Sequence, residues 1–276
     1  MNTETAIKEV VKEKYGQIAR EGTGCGCGTA CCGDEMNVMA DDYSKLQGYN
    51  PDADLGLGCG LPTEFAKIKE GDTVIDLGSG AGNDAFIARS IVGEKGKVIG
   101  VDFTEAMIER AKANAAKLGF SNVEFRQGDI EDMPVKDNAA DVIVSNCVLN
   151  LVPNKEKVIN EIYRTLKPGG HFSISDIVLK GQLPEGLKAS AEMYAGCVSG
   201  AIQKSEYLQY IHETGFANVT VQKEKKIVLP DEVLLEYIRP DALAALKASN
   251  TGIYSVTVYA EKPANEKNCC GPECCN

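Results

Sequence analysis

The sequence Thr-Val-Ile-Asp-Leu-Gly-Ser-Gly-Ala-Gly at residues 73–82 constrains the fold more than any other stretch of the chain. Its apolar half predicts a short strand that is buried on both faces. Gly78, Gly80 and Gly82 then follow at alternate positions and leave no Cβ atom to keep a ligand away from the backbone. Asn83 is a plausible N-cap for the helix that the next apolar residues predict, so free backbone N–H groups should point at the loop.

The spacing of these glycines separates two classes of nucleotide ligand. The dinucleotide fingerprint G-x-G-x-x-G requires a glycine where this chain has Asn83. Asp76 stands two residues before the first glycine, and its charge would repel a pyrophosphate but attract an ammonium or sulfonium group. The stretch resembles the first motif of the class I S-adenosylmethionine-dependent methyltransferases. This resemblance implies S-adenosylmethionine as the cofactor, and a glycine-rich turn without a ligand is the alternative.

Apolar strands and amphipathic helices alternate from Gly71 onward, a pattern typical of a parallel sheet covered by helices on both faces. We expect a doubly wound, mostly parallel, seven-stranded α/β sheet of the class I methyltransferase, Rossmann-like type, with an antiparallel last strand. The strands are predicted at residues 73–77, 97–102, 123–129, 141–146, 171–176, 219–228 and 254–260.

Changes in composition along the chain predict three parts. Residues 1–60 combine an N-terminal helix with a cysteine-rich cap segment, residues 61–262 form the methyltransferase domain, and residues 263–276 are a cysteine-rich tail. Within the domain, we expect a substrate-side insertion near 181–204 and a helical insertion near 231–247.

Length, hydropathy and charge limit the partners. A chain of 276 residues with 43% hydrophobic content can bury a sizeable core. The sequence has no apolar run long enough to cross a bilayer, and its N-terminus is unlike a secretory signal, so we expect a cytoplasmic protein without a membrane partner. The net charge of −11 disfavours a nucleic-acid partner. A monomer is the default expectation.

Polar residues stand at the predicted carboxyl ends of four strands, namely Asp76, Asp102, Asp129 and Asn146. Ligands of open α/β sheets bind beyond these ends, so we expect these residues to share the cofactor site. Asp102, which Phe103 follows directly, suits hydrogen bonds from both ribose hydroxyls. The family resemblance implies that Asp129 binds the adenine amine and Ile130 the adenine ring. Each acid alone could instead be a turn or N-cap residue.

Eleven cysteines are the unusual feature of the composition. Their odd number and the lack of a recognisable export signal disfavour a secreted disulfide framework. Clustered thiols in a reducing compartment suggest soft-ion or redox chemistry instead. The two histidines, His171 and His212, have no second ligand nearby in the sequence, so a histidine-rich catalytic zinc site is not expected.

Three single cysteines lie in predicted structured segments: Cys59 in G-L-G-C-G-L-P, Cys147 in S-N-C-V-L-N-L and Cys197 in A-G-C-V-S-G-A. Together with the first motif, they closely resemble the arsenite S-adenosylmethionine methyltransferases over residues 56–200. The resemblance implies that these three thiolates hold trivalent arsenic, which is soft and thiophilic. Its lone pair would attack the sulfonium methyl without a general base and give mono- and dimethylated arsenicals. Any one of these cysteines could instead be a small buried hydrophobe.

The resemblance also implies an N-terminal cysteine that exchanges thiols during catalysis, with thioredoxin or glutathione as the reductant. Cys25, Cys27, Cys31 and Cys32 are the candidates, and we favour Cys31 or Cys32. This cluster could alternatively hold zinc or copper. The C-terminal sequence C-C-G-P-E-C-C could capture arsenite, or it could be an expendable tail.

Two other functions are compatible with the same sequence. A methyltransferase for a quinone or another small organic acceptor would turn over without arsenic and would not depend on the three cysteines. A non-enzymatic protein that sequesters soft metals would need no S-adenosylmethionine.

Overall fold

A central sheet organises the part of the chain that the computed structural model describes, which is residues 3–21, 41–189, 200–249 and 251–264. Its strands are β1 Thr73–Leu77, β2 Lys97–Asp102, β3 Val123–Gln127, β4 Ala140–Asn146, β5 Leu166–Lys180, β6 Ala217–Ile227 and β7 Gly252–Glu261. Within the described residues they form one seven-stranded sheet in the order β3-β2-β1-β4-β5-β7-β6. Pairs from β3 to β5 are parallel, whereas β7 is antiparallel to both β5 and β6. The predicted fold class is therefore confirmed.

Helices cover both faces of this sheet. Among the described residues they are α1 Thr3–Glu21, α2 Pro62–Phe65, α3 Asn83–Val92, α4 Glu105–Leu118, α5 Lys155–Thr165, α6 Glu185–Ala189, α7 Lys204–Glu213, α8 Asp231–Tyr237 and α9 Pro240–Ala248, with a 3₁₀ turn at Leu149–Leu151. The helices that follow β1, β2 and β4 return the chain to the start of the next parallel strand, as crossover connections must.

The strand β1 illustrates why the sheet has a core on each side. Ile75 and Leu77 belong to the apolar cluster that contains Ile159 of α5 and residues of α7. Val74 points the other way, into the cluster that contains Phe86 of α3 and residues of α1 and α4. Because successive side chains of a strand alternate between faces, a strand covered on both sides must be apolar throughout.

A third apolar cluster lies on the side of the sheet where the cysteines are. It contains Cys59 and Cys147 together with Val11 of α1, Leu187 of α6 and Leu234 of α8. Elements from the N-terminal, middle and C-terminal parts of the chain thus cover the same region. The predicted domain boundaries themselves stay predictions.

Three details differ from the sequence prediction. The N-cap of α3 is Gly82 rather than Asn83, which is already the first helical residue. The helical stretch 231–247 is two helices, because Pro240 starts α9 and the residue before it is extended. The fifth strand extends well beyond residues 171–176, since β7 pairs with it as far as Lys180.

Candidate active site

The carboxyl edge of the sheet borders a cavity of about 1050 Å³, with its open mouth included. We call it the strand-end cavity. Its wall combines residues of α1 and of the segment 43–58 with the ends of β1, β2 and β4 and the loop after β3. Eight of the nine predicted cofactor residues line it, namely Asp76, Gly78, Gly80, Asp102, Phe103, Asp129, Ile130 and Asn146. Their individual contacts with a cofactor stay predictions, but the strand ends do meet at one cavity, as expected for an open α/β sheet.

The glycine loop forms part of the wall of the strand-end cavity. Gly78 and Gly80 have φ angles of +65° and +51°, a region that favours glycine. A Cβ atom on Gly78 would lie 2.4 Å from Cγ2 of Val148, whereas one on Gly80 would meet no atom of the described residues within 4 Å. The Gly80 N–H donates to Oδ2 of Asp102 at 3.0 Å. A ligand can therefore approach the backbone at Gly80.

Gly82, the ninth predicted cofactor residue, is not part of the described cavity wall. Its φ is +100°, and a Cβ atom there would lie 2.8 Å from the ring of Phe86 and 2.9 Å from the ring of Phe125. Glycine at this position lets the chain turn over the two rings into α3. Packing alone accounts for the residue, so its contact with the cofactor stays a prediction.

Three buried carboxylates face the strand-end cavity: Asp76, Asp84 and Asp102. Burial and the charges of Asp84 and Asp102 raise the pKa of Asp76 well above its ordinary value. Burial also raises the pKa of Asp84 to about 6, although hydrogen bonds from Tyr43 and Asn146 oppose this change. Concentrated negative charge in a buried wall favours a cationic ligand.

Two carboxylate oxygens in this wall have no hydrogen-bond partner among the described residues. They are Oδ2 of Asp76 and Oδ1 of Asp84. Since buried polar atoms are normally paired, a ligand that donates hydrogen bonds is expected at this wall. The ammonium group of S-adenosylmethionine has the right charge and donors. The residues present therefore fit this cofactor. Asp84 escaped the sequence analysis because an acid in the first turn of a helix is usually a partner of the helix dipole.

Asp102 at the end of β2 is held in one orientation by two backbone donors. The N–H of Thr104 donates to Oδ1 at 2.8 Å and that of Gly80 to Oδ2 at 3.0 Å. Burial raises the pKa of this carboxyl. The two hydrogen bonds lower it by less, so the pKa lies above its ordinary value. Each oxygen keeps a lone pair for another donor, and two ribose hydroxyls would supply two.

Asp129 has a partner that the sequence analysis did not predict. Lys8 of α1 forms an ion pair with Oδ2 of Asp129 at 2.6 Å and also pairs with Glu131. The N–H of Glu131 donates to Oδ1 of Asp129 at 2.9 Å, and Ile130 between them lines the cavity. The helix α1 is thus fastened across the part of the cavity where adenine was predicted. No short motif could indicate this contact, because the two charges are 121 residues apart.

Cys59 and Cys147 form a disulfide with their Cα atoms 5.8 Å apart. Cys147 lines the strand-end cavity directly after β4. The sequence analysis predicted these cysteines as free thiolates that converge on arsenic together with Cys197. The structure has two of the three bonded to each other, and their role as arsenic ligands stays a prediction. Cys197, Cys31 and Cys32 lie outside the described residues. Among the residues that are described, no group of three or more His, Cys, Asp or Glu side chains could hold a metal ion.

Residues 58–60, which we call the Cys59 turn, sit against the end of the sheet. A Cβ atom on Gly58 would lie 2.7 Å from Nδ2 of Asn146, and one on Gly60 would lie 2.5 Å from Oγ of Ser175. The Cys59 N–H donates to Oδ1 of Asn146 at 3.0 Å. The glycines on both sides of Cys59 are therefore required for close packing. Asn146, predicted as a cofactor residue, also holds this turn.

Comparison with known proteins identifies the family. A family model described as "Methyltransferase domain" matches residues 68–215. An arsenite methyltransferase of Halobacterium salinarum is 39% identical over 277 residues, which cover 94% of this chain and 67% of that protein. The chain belongs to the arsenite methyltransferases. A second member, from Aquipseudomonas alcaligenes, is 34% identical, with 83% of this chain and 68% of that protein covered.

A solved structure agrees with this membership. The crystal structure of an arsenic(III) S-adenosylmethionine methyltransferase from Chlamydomonas reinhardtii matches with a TM-score of 0.64 and 34% identity, and covers 76% of this chain and 69% of that one. The family uses S-adenosylmethionine, so the predicted cofactor and enzyme class are confirmed. The chain spans about two thirds of the length of these three relatives. None of the helices described here is long and apolar enough to span a membrane.

Proposed function

We propose that this arsenite methyltransferase transfers the methyl group of S-adenosylmethionine to trivalent arsenic held by the thiolates of Cys59, Cys147 and Cys197. The observation that carries the proposal is the bonded pair Cys59–Cys147, with Cys147 on the wall of the strand-end cavity. Two sulfur atoms that can bond to each other can also share one thiophilic atom. The substrate named for the relatives supports arsenite as that atom's source.

The residues of the strand-end cavity would hold the cofactor, whose sulfonium supplies an electrophilic methyl group. Asp76 and Asp84 would accept hydrogen bonds from its ammonium group with their unpartnered oxygens. Asp102 would accept from the ribose hydroxyls, and Asp129 and Ile130 would bind the adenine. Gly78, Gly80 and Phe103 would complete the wall around the nucleoside.

The protein's contribution to the chemistry would be positioning and exclusion of water. Cys59 is 1% exposed and Cys147 is 5% exposed, so an atom bound to both sulfurs is shielded from bulk water. The nucleophile is the arsenic lone pair and carries no proton, so no general base is required. Orientation of the lone pair toward the methyl group in line is therefore the main catalytic requirement.

The disulfide sets a condition on the cycle. Two electrons and two protons must reduce Cys59–Cys147 before both sulfurs can bind arsenic. We propose a thiol reductant, thioredoxin or glutathione, as their source, with Cys31 or Cys32 as the cysteine that exchanges with it. We further propose mono- and dimethylated arsenicals as products, and a monomer in the cytoplasm as the working form.

Chromatography with elemental mass detection tests the proposal. The full chain is incubated with S-adenosylmethionine, arsenite and a thiol reductant, and arsenic species are separated and counted. Methylated arsenic is expected for the wild type. Cys59→Ser, Cys147→Ser and Cys197→Ser should each lose at least one methylation step, because serine is a poor ligand for a soft atom.

Two controls make the result interpretable. Each variant must still bind S-adenosylmethionine in a calorimetric titration, and wild-type protein incubated without S-adenosylmethionine serves as the blank. Full activity of all three variants would contradict the thiolate assignment. Cofactor binding without any arsenic methylation by the wild type would instead direct the search to a quinone or another organic acceptor.

A further inference from the structure

A hydrogen-bonded network joins the wall of the strand-end cavity to the Cys59 turn. Asp84 in the first turn of α3 is its centre. Oδ2 of Asp84 accepts from the Tyr43 hydroxyl at 2.9 Å and from Nδ2 of Asn146 at 3.3 Å. Oδ1 of Asp84 has no partner in the described part of the chain. In this cavity-lining carboxylate, one oxygen therefore accepts from two neutral side chains, while the other has no partner among the described residues.

Those two side chains also hold the Cys59 turn. Asn146 accepts from the N–H of Cys59 through Oδ1 at 3.0 Å and donates to the carbonyl of Gly60 through Nδ2 at 2.8 Å. It also donates to the hydroxyl of Tyr43. The Tyr43 hydroxyl lies 3.0 Å from the same Gly60 carbonyl. The turn is thus held at the peptide group that precedes Cys59 and at the peptide group that follows Gly60.

A count of protons shows how the network depends on charge. The Tyr43 hydroxyl has one proton but two acceptors, Oδ2 of Asp84 and the Gly60 carbonyl. An ionised Asp84 is the stronger acceptor, because hydrogen bonds to charged groups are about twice as strong as neutral ones. The Asn146 amide has two protons and three acceptors within reach. The Gly60 carbonyl and the Tyr43 oxygen are nearer than Oδ2 of Asp84 at 3.3 Å, so they take the two protons. A cation beside Oδ1 of Asp84 favours this ionised state.

The ring of Tyr43 has its own support. It is 5% exposed and packs with Leu61 and Ile87 in a small apolar cluster. Removal of the hydroxyl alone should therefore leave the ring, and the segment that carries it, in place. The hydroxyl itself can be tested separately from the packing.

We propose that Tyr43 and Asn146 are positioning residues that, through Asp84, couple occupancy of the strand-end cavity to the orientation of Cys59. The proposal rests on the proposed function, since it concerns the same cysteine. It adds a thermodynamic consequence, because coupling between two sites is reciprocal. S-adenosylmethionine should tighten arsenite binding by the same factor by which arsenite tightens S-adenosylmethionine binding.

The test compares the wild type with Tyr43→Phe and with Tyr49→Phe as a matched control from the same segment. The dissociation constant of S-adenosylmethionine is measured with and without arsenite in reduced protein. Tyr43→Phe should bind S-adenosylmethionine alone within about twofold of the wild type, but lose most of the effect of arsenite. Its kcat/KM for arsenite should fall about tenfold, as expected for one hydrogen bond to a charged group. Tyr49→Phe should keep the effect of arsenite on S-adenosylmethionine binding and the wild-type kcat/KM for arsenite.

A second measurement does not involve arsenic. The rate at which a small alkylating agent modifies Cys59 of the reduced protein is followed by mass spectrometry, with and without S-adenosylmethionine. The cofactor should change this rate in the wild type and in Tyr49→Phe but not in Tyr43→Phe. A thermal melt under the same conditions checks that Tyr43→Phe is folded.

The outcomes separate the two proposals. If the wild type does not methylate arsenite, the proposed function fails, while the alkylation rates still decide the network. An alkylation rate of Cys59 in the wild type that is the same with and without S-adenosylmethionine would overturn the coupling. So would a Tyr43→Phe variant that retains the full effect of the cofactor, or one that loses cofactor affinity but keeps the coupling.

Discussion

Asp176 in β5 is the group whose ionisation should most visibly affect stability. It is fully buried, and its Oδ1 accepts from Nδ2 of Asn150 at 2.8 Å and from the N–H of Ile177 at 2.9 Å. Its Oδ2 has no partner among the described residues. Burial raises the pKa of Asp176 to about 7, although the charge of Lys155 acts in the opposite direction. We predict that Asp176→Asn becomes increasingly more stable than the wild type as the pH rises.

The magnitude follows from the two pKa values. The carboxyl releases its proton near pH 3.8 in the unfolded chain and near pH 7 in the folded protein, so folding binds a proton between these values. Stability then falls as the pH rises through this window. Compared with a side chain that never ionises, the raised pKa lowers the free energy of unfolding by about 2 kcal/mol at pH 5, where folding must take up a proton. At pH 8, where the buried group is mostly ionised, it lowers this free energy by about 4 kcal/mol. Asparagine does not ionise and avoids both costs. The difference in free energy of unfolding between Asp176→Asn and the wild type should therefore grow by about 2–3 kcal/mol from pH 5 to pH 8.

Urea unfolding at pH 5, 6, 7 and 8 in the presence of a thiol reductant measures this difference. Asparagine keeps the Oδ1 acceptor for Asn150 and Ile177, and any fixed effect of its amide nitrogen cancels when two pH values are compared. Asp241→Asn, which removes a carboxylate that is 72% exposed, controls for the change in net charge. Stability profiles that run parallel for Asp176→Asn and the wild type would refute the reasoning.

Two further predictions concern the wall of the strand-end cavity. Gly80→Ala should lower the free energy of unfolding by about 1 kcal/mol, from left-handed backbone strain alone, whereas Gly78→Ala should lower it further because its Cβ must also displace Val148. Equal losses in urea unfolding would contradict this order. Lys8→Met removes the ion pairs that fasten α1 and should speed dissociation of S-adenosylmethionine about two- to fivefold, given the usual strength of partly exposed pairs. A stopped-flow rate equal to that of the wild type would contradict it.

Most of the fold was predictable from local sequence signals. The apolar runs that became β1, β2 and β4 are short, bounded by turn residues and covered on both faces, so their signal is strong. The start of α3 was not predictable from local signals, because Gly82 is the N-cap owing to a contact with a residue that is distant in the sequence. The ring of Phe125, which packs over it, comes from β3. Tertiary contact of this kind leaves no trace in a local pattern.

The site was predictable where the topology dictates it and not elsewhere. Asp76 and Asp102 end adjacent parallel strands, so any such sheet brings them together. Lys8 reaches the same site from the predicted N-terminal helix and Tyr43 from a segment without strong periodicity, and they contact carboxylates 121 and 41 residues away. Asp84 is between these cases, since its sequence position near the glycine loop was visible but its unpartnered oxygen was not.

The antiparallel last strand also supports the turn that carries Cys59, one of the cysteines proposed to bind the methyl acceptor. Ser175 of β5 pairs with Thr257 of β7, and their hydroxyls are 2.8 Å apart. Gly60 packs against these two hydroxyls, and a Cβ atom there would lie 2.5 Å from Oγ of Ser175. The Ser255 hydroxyl of β7 donates to the carbonyl of Cys59. Buried hydroxyls are unfavourable without partners, so this pair and the Cys59 turn stabilise each other. The parallel strands β1 and β2 thus border the strand-end cavity, while β5 and β7 support the turn that carries a proposed arsenic ligand. A motif search finds the first arrangement because it is local, and misses the second because it joins residues 196 positions apart.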